Sequence, residues 1–260
     1  MSSPLQGRRV LVTRAAPQAP ELVDLLRRGG AVPVAIPVMR LQSLLDAAAI
    51  ESLRGRIRGG DFEDLVLTSA NSVRQLLGGA QLSQAGVRAY AIGPGTQAAL
   101  AQAGWVAEAL PPGFIAESLA HRIAKDGVAG RRILLPRARG ARDVLPRRLE
   151  ELGATVEVVE LYQMSPDWGS QTALAVGLRS GDLDCVTFTS GSSVRCFIEL
   201  AGSARPPAAC VWAAIGPITA GEMRRHGLVP QVVADTHSIP GLVDALRTWF
   251  ARLPENGSRP

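Results

Sequence analysis

The sequence predicts an α/β protein made of two domains with parallel sheets, and three observations carry that prediction. The first is an internal echo. Asp184 to Leu200, DCVTFTSGSSVRCFIEL, reads as a buried strand, a Ser/Gly turn and a helix with one apolar face. Asp64 to Leu77, DLVLTSANSVRQLL, says nearly the same thing 121 positions earlier, so that Thr68, Ser69, Ser72, Val73 and Arg74 return as Thr189, Ser190, Ser193, Val194 and Arg195, and Asn71 returns as Ser192. The second is a pair of further echoes at an offset of 123. Gly7 to Arg14, GRRVLVTR, comes back as Gly130 to Arg137, GRRILLPR, and AIGP at Ala91 to Pro94 comes back at Ala214 to Pro217. The third is the alternation of short apolar runs with helical patterns through both copies, which means parallel strands joined by helices in three-layer domains. With two copies of roughly 120 residues, each large enough for its own core, the chain is an internal duplication rather than a short-period solenoid.

Taken in order, Arg9 to Thr13 has the look of a buried strand, and Leu22, Leu25 and Leu26 follow at helical spacing before Gly29 and Gly30 end the helix. Ala31 to Val38 is expected as a second strand, kept from a central sheet position by Pro33 and Pro37. Gln42 to Gly60 carries an Ala/Leu helix and precedes the first TSANS turn. Arg88 to Ile92 is a strand, Thr96 to Ala103 a helix ended by Gly104, Trp105 to Ala109 a short strand, Pro111-Pro112-Gly113 a turn, and Ala116, Leu119, Ala120 and Ile123 one helix face. In the second copy Leu145, Leu149 and Leu152 form the first helix and Thr155 to Tyr162 the second strand, while Ile239, Leu242, Val243 and Leu246 form the last helix face. The irregular strands at equivalent places are candidates for a two-stranded connector. The tail after Leu253, PENGSRP, is expected to be disordered.

Composition narrows the function classes. The chain has 260 residues, 47% of them hydrophobic and 20% charged, with no run of about 18 apolar residues and no apolar core in its N-terminus MSSPLQGRR. A cytoplasmic protein with no membrane partner is expected. The net charge of +5 rests almost wholly on arginine, since Lys125 is the only lysine, and the arginines are scattered rather than massed in a stripe, so no nucleic-acid partner is expected. Cys185, Cys196 and Cys210 lie in predicted strand and helix positions and read as small core residues. His121, His226 and His237 show no ligand spacing, and no metal site is readable.

Five segments together resemble the uroporphyrinogen-III synthase family: VLVTR at Val10 to Arg14, AVPVAIPVMRL at Ala31 to Leu41, VVELYQ at Val158 to Gln163, FTSGSSV at Phe188 to Val194 and AAIGPITA at Ala213 to Ala220. The resemblance spans about residues 7 to 250. It implies two flavodoxin-like three-layer domains, one made of 1–38 and 164–260 and the other of 39–163, joined by connector strands at about 34–40 and 157–163. It also implies a monomeric, cofactor-free enzyme that cyclises hydroxymethylbilane to uroporphyrinogen III with loss of water and inversion of the last ring. Such a substrate carries eight carboxylates and reacts through a cationic azafulvene, so helix N-termini can hold the carboxylates and an acid is needed for the departing hydroxyl.

The candidate residues follow from turns at strand ends. Ser190, Ser192 and Ser193, with Ser69, Asn71 and Ser72 in the other copy, open helices and are candidates for substrate contact, although a serine there is also a good cap. Gly93 and Gly216 with Thr219 belong to the second pair of turns; the family shows another hydroxyl beside that threonine where this chain has Ile218. Arg14 and Arg137 close equivalent strands and match a carboxylate by their fork geometry, and Thr13 stands beside the first of them. Resemblance places Tyr162 where the family's candidate general acid stands, and a phenol stays protonated at neutral pH. No G-x-S-x-G elbow is present, which disfavours serine nucleophiles. From another class, a two-domain sensor or binding protein closing on an acidic ligand shares this fold.

Overall fold

The computed structural model describes residues 3–80, 82, 84, 86–108 and 116–252, so the Pro111-Pro112-Gly113 turn and the tail after Leu253 lie outside the described residues. The elements run β1 (Arg9–Val12), α1 (Ala19–Arg28), β2 (Val32–Ala35), β3 (Met39–Ser43), α2 (Ala47–Arg58), β4 (Asp64–Leu67), α3 (Ala70–Leu77), β5 (Arg88–Ala91), α4 (Pro94–Gln102) and α5 (Ala116–Lys125). They continue with β6 (Arg132–Ala138), α6 (Val144–Glu151), β7 (Thr155–Pro166), α7 (Gln171–Arg179), β8 (Cys185–Phe188), α8 (Gly191–Ala201), β9 (Val211–Ala214), α9 (Pro217–Arg225), β10 (Val232–Val233) and α10 (Ile239–Ala251). Helix α7 has no counterpart in the sequence reading. Its buried face, Leu174 and Leu178, is only two residues wide.

Two compact units emerge, Met1–Leu41 with Met164–Pro260, and Gln42–Gln163. The first unit holds the sheet β10-β9-β8-β1-β2 and the second the sheet β3-β7-β6-β4-β5. Apart from β3, each sheet takes two neighbouring strands from one sequence copy and the remainder from the other. Strands β1 and β2 join β8, β9 and β10, whereas β6 and β7 join β4 and β5. Read in copy order, the first sheet runs 2-1-3-4-5, the flavodoxin-like order. The second repeats it up to its last place, where Ala107 makes a parallel bridge to Ala89; of the strand expected over Trp105 to Ala109, Ala109 lies outside the described residues.

Both faces of each sheet are covered, which is why the strands read as unbroken apolar runs. In the first unit Leu11, Val186 and Phe188 pack with Leu174, Val194, Phe197 and Met223 on one side. Val10 and Val12 pack with Leu22, Leu26, Leu242 and Leu246 on the other. Phe188 meets Phe197 edge-on at 5.2 Å and stacks on Trp212 at 6.0 Å, so three of the chain's few aromatic rings anchor α8 to the sheet. In the second unit Val66, Tyr90, Ile133 and Leu135 pack with Leu119, Ile123, Leu145 and Leu149.

The prolines explain where strands stop. The amides of Val32 and Ile36 donate to Arg8 and Val12 on β1, so even positions of β2 face β1 and Pro33 faces the open edge, where a missing N–H costs nothing. Pro37 has no amide, and the strand expected over Ala31 to Val38 ends at Ala35. The connector strand expected at about 34–40 is therefore displaced: β3 begins at Met39 and pairs with β7. The flanking bonds from Leu44 N–H to Leu161 and from Asp167 N–H to Val38 set 44 against 161 and 38 against 167, numbers that rise on one strand as they fall on the other, so this pair is antiparallel.

The N-terminal ends of the central strands are closed by acids. Asp184 accepts the Arg9 amide at 2.8 Å, and Glu63 accepts the equivalent Arg132 amide at 2.7 Å. Beside Glu63, fully buried Asp64 takes Arg88 Nε at 2.8 Å and Arg131 Nη1 at 2.8 Å. Replacing Asp64 with Asn keeps the shape and removes the charge that both guanidinium groups share. Asp64→Asn is expected to lower unfolding stability by about 3 kcal/mol, read by chemical denaturation; a loss within about 0.5 kcal/mol, the scale of an exposed pair, would show that solvent already screens the cluster.

Candidate functional site

In an open α/β sheet, ligands bind beyond the carboxyl ends of the strands where the strand order reverses. That point lies between β1 and β8 in the first unit and between β6 and β4 in the second. The two are built differently. In the first unit the pairing of β1 with β8 runs to Val12–Thr187, and Thr13 extends it by donating its hydroxyl to the Thr187 carbonyl at 2.7 Å. Thr13 is fully buried, and its carbonyl accepts the Val38 amide at 3.2 Å, so it is held within the sheet. In the second unit the equivalent residue is Pro136. The Arg132 carbonyl accepts the Glu63 amide on the β4 side, and by two-residue alternation the Pro136 nitrogen faces β4 as well. It has no hydrogen to give, and pairing between β6 and β4 ends at Leu134–Leu65. The second sheet is consequently open at its switch point where the first is zipped.

Beyond that opening stand Arg137, Ser69 and Tyr162. Ser69 is the N-cap of α3, extended at φ −152° and ψ 145°, with Oγ accepting the Ser72 amide at 3.1 Å. Tyr162 Oη lies 2.9 Å from Ser69 Oγ, which lies 3.0 Å from Ser72 Oγ. A bulge brings the ring there: Arg137 pairs with Glu160 but Ala138 pairs with Tyr162, so Leu161 is the extra residue in β7. The break in alternation buries Leu161 and Tyr162 in succession, at 0% and 4% exposure.

Ser190 caps α8 in the first unit as Ser69 caps α3, accepting the Ser193 amide at 3.1 Å. Ser193 is fully buried, and its hydroxyl donates to the Ser190 carbonyl at 2.7 Å. Ser192 is half-buried and accepts from Arg195, whose guanidinium also reaches buried Glu222 at 2.9 Å. The equivalent pair in the second unit is Asn71 accepting from Arg74 at 3.3 Å. Ser190, Ser192, Ser69 and Asn71 thus have partly open side chains at strand ends, while Thr13 and Ser193 are enclosed.

The second pair of turns is also asymmetric. Gly93 has φ +79°, the left-handed region that favours glycine, before Pro94 starts α4. Gly216 is extended, and a Cβ there would stand 2.8 Å from the ring of exposed His237, which would have to move aside. Thr96 and Thr219 are buried in the first turns of α4 and α9, at 5% and 4% exposure. The exposed side chain at the α9 terminus is Ile218, at 78%.

Arg14 and Arg137 share one environment. Their side chains are only 16% and 12% exposed. Arg14 has Nε and Nη1 buried with no hydrogen-bond acceptor among the described residues, and its nearest acid, Glu21, is 3.8 Å away. Burial pushes this guanidinium below its ordinary pKa, with Glu21 opposing. Arg137 pairs with Asp143 at 2.7 Å and gives Nη1 to the Arg142 carbonyl, leaving Nε buried without an acceptor. Buried donors of this kind suit an anion that completes them.

Sequence reasoning passed over Glu222 and His237. Glu222 lies three positions after Thr219, on the same buried helical face, which is a readable signal; His237 carries none. Among the described residues, no three His, Cys, Asp or Glu side chains gather as a metal site, and no helix is long and apolar enough to cross a membrane.

Comparison with known proteins gives one consistent result. Residues 20–244 match the family model described as uroporphyrinogen-III synthase HemD. A putative uroporphyrinogen-III synthase of Methanothermobacter thermautotrophicus is 32% identical over 90% of this chain and 96% of its own. The uroporphyrinogen-III synthase of Synechococcus elongatus is 32% identical over 95% and 97%. In fold, the chain is similar to uroporphyrinogen-III synthetase of Helicobacter pylori, with a TM-score of 0.63 at 18% identity over 94% of this chain and all of that one. A Thermus thermophilus uroporphyrinogen III synthase mutant gives 0.60 at 20% identity over 95% and 100%. With two domains of flavodoxin-like topology and a family match across most of its length, the chain belongs to the uroporphyrinogen-III synthase family.

Proposed function

We propose that this chain closes the linear tetrapyrrole hydroxymethylbilane to uroporphyrinogen III, expelling water and inverting the last ring, and that it works as a cytoplasmic monomer. The family supplies the reaction class, and one observation carries the assignment of chemistry: a buried phenol, Tyr162, held 2.9 Å from a helix-capping serine at the open switch point of the second unit. Tyr162 is the acid. Its proton goes to the departing hydroxyl oxygen as the C–O bond breaks, leaving water and a cationic azafulvene. Attack on that cation closes the ring, and the proton released as aromaticity returns goes back to the phenolate. No metal or organic cofactor has a part in this reading.

The substrate's carboxylates are held by two kinds of donor. One is the unpaired guanidinium N–H of Arg14 and Arg137. The other is the set of partly open side chains Ser190, Ser192 and Asn71, together with the helix-opening amides in the turns after Gly93 and Gly216. Thr13, Ser193 and Thr219, being buried, shape these turns and do not touch the ligand. Exposed Ile218 is the apolar contact in this set, suited to the face of a pyrrole.

Two experiments test the reading. Incubation with enzymatically generated hydroxymethylbilane, followed by separation of type I and type III products, should give type III. Tyr162→Phe removes the proton while keeping the ring, and turnover should fall by about 10²- to 10⁴-fold with the residual enzymic product still type III. A folded Tyr162→Phe protein with near-parental turnover removes the phenol from the reaction.

The arginines give a test of opposite signs. Arg14→Met removes a buried guanidinium with two unpaired donors, so the fold should melt at the parental temperature or above it. Substrate binding should weaken by about 1–2 kcal/mol, one charge-assisted contact among several, seen as a raised KM. Loss of stability with an unchanged KM would make Arg14 a structural residue.

A further inference from the structure

The hydroxyl chain that begins at Tyr162 carries an inference beyond the acid itself, although it rests on that reading. A serine hydroxyl has one hydrogen and two lone pairs. One lone pair of Ser69 is fixed by the Ser72 amide, 3.1 Å away. One hydrogen and one lone pair are left for two hydroxyl neighbours, Ser72 Oγ at 3.0 Å and Tyr162 Oη at 2.9 Å. Only two arrangements satisfy both contacts. In one, Tyr162 donates to Ser69 and Ser69 donates to Ser72. In the other, Ser72 donates to Ser69, Ser69 donates to Tyr162, and the phenol's hydrogen is released from the chain.

We propose that Ser69 is a positioning residue that holds the second arrangement during the reaction, freeing the Tyr162 proton for the substrate and donating a hydrogen bond to the phenolate left behind. Fully buried Ser72 supplies the hydrogen that lets Ser69 turn, since it has no solvent to turn to instead. The step balances without a further reactant. The phenol O–H bond breaks and its proton joins the leaving hydroxyl as water; the two serine protons only reorient; and the phenolate regains a proton from the ring-closed intermediate. The N-terminal end of α3, whose cap is Ser69, favours the transient negative charge as well.

The other copy supports the assignment by contrast. Its Ser190–Ser193 turn has the same cap, but Ser193 donates to the Ser190 carbonyl at 2.7 Å and no hydroxyl chain forms. The position equivalent to Tyr162 is Met39, which belongs to the core. The same Ser-x-x-Ser sequence is wired as a relay only where a phenol meets it.

Ser69 is also a cap, so the test separates the two roles. Ser69→Ala loses cap and hydroxyl; Ser69→Asp keeps the cap through its carboxylate but has no hydrogen to donate at neutral pH. Both are expected to lower kcat by about 10- to 100-fold, the range of a hydrogen bond to a charged group, with KM changed far less, and only Ser69→Ala should melt earlier. Ser69→Thr, which restores the hydroxyl, should recover most of the lost rate. In a Tyr162→Phe background neither Ala nor Asp should slow the reaction further. Parental kcat in Ser69→Asp overturns the proposal, and so does a loss that persists undiminished beside Tyr162→Phe. Failure of the acid reading looks different, because Tyr162→Phe alone would then turn over at the parental rate with Ser69 intact.

Discussion

A parallel sheet covered by helices on both faces has room for polar chemistry only at the ends of its strands, and this constraint arranges the whole molecule. At the N-terminal ends the polar groups pair with one another: Glu63 with Arg132, Asp184 with Arg8, and buried Asp64 with Arg88 and Arg131. At the C-terminal ends they do not close up. Arg14 and Arg137 are buried there with donors lacking acceptors, and capping serines leave hydroxyls partly open. One end of each sheet is thus paired within the chain, and the other keeps donors that find no acceptor among the described residues.

The duplication supplied that arrangement twice, and a few substitutions made the copies unequal. Thr13 zips the first switch point with a side-chain hydrogen bond, while Pro136 at the matching place cannot donate and leaves the second open. Met39 packs in a core where its counterpart Tyr162 turns, through a one-residue bulge, onto the cap of α3. Gly93 is favoured by its positive φ, while Gly216 is extended and lies against the ring of His237. The acid chemistry we propose follows this asymmetry, falling in the unit where the ladder stops early and a phenol fills the gap.

The sequence was most legible where the physics is local. Repeats, helix caps and strand-ending prolines could be read directly, because each depends on a few adjacent residues: Ser69 and Ser190 both cap, and Pro33 lies on an edge. It was least legible where contacts are distant or one residue decides a register. Ser69 and Tyr162 are 93 positions apart, and nothing in the run VVELYQ announces that Leu161 is the extra residue. Pro33 and Pro37 read as marks of one irregular strand over Ala31 to Val38, whereas the chain forms an edge strand at Val32–Ala35, breaks at Pro37, and starts afresh at Met39. Trp105 to Ala109 read as a strand from its place in the repeat, and among the described residues 105–108 it is Ala107 that bridges to the sheet. Thr219 read as a candidate contact from its motif alone, and the motif does not announce that the helix turns it inward and leaves Ile218 outside.

The choice of acid we propose also follows from where it would work. A carboxylic acid at this strand end would be ionised at neutral pH unless buried strongly enough to raise its pKa, and an ionised one would repel the substrate's carboxylates. An ammonium would attract those carboxylates and be held by them rather than by the departing hydroxyl. A phenol as such avoids both difficulties. Its weakness in the proposed role is that it would become an anion in a place where Tyr162 is only 4% exposed, and there the surroundings decide the barrier. A hydroxyl that can reverse direction, at the positive end of a helix, meets that need without a permanent charge, and the bulge that spoils the regularity of β7 is what brings the phenol to it.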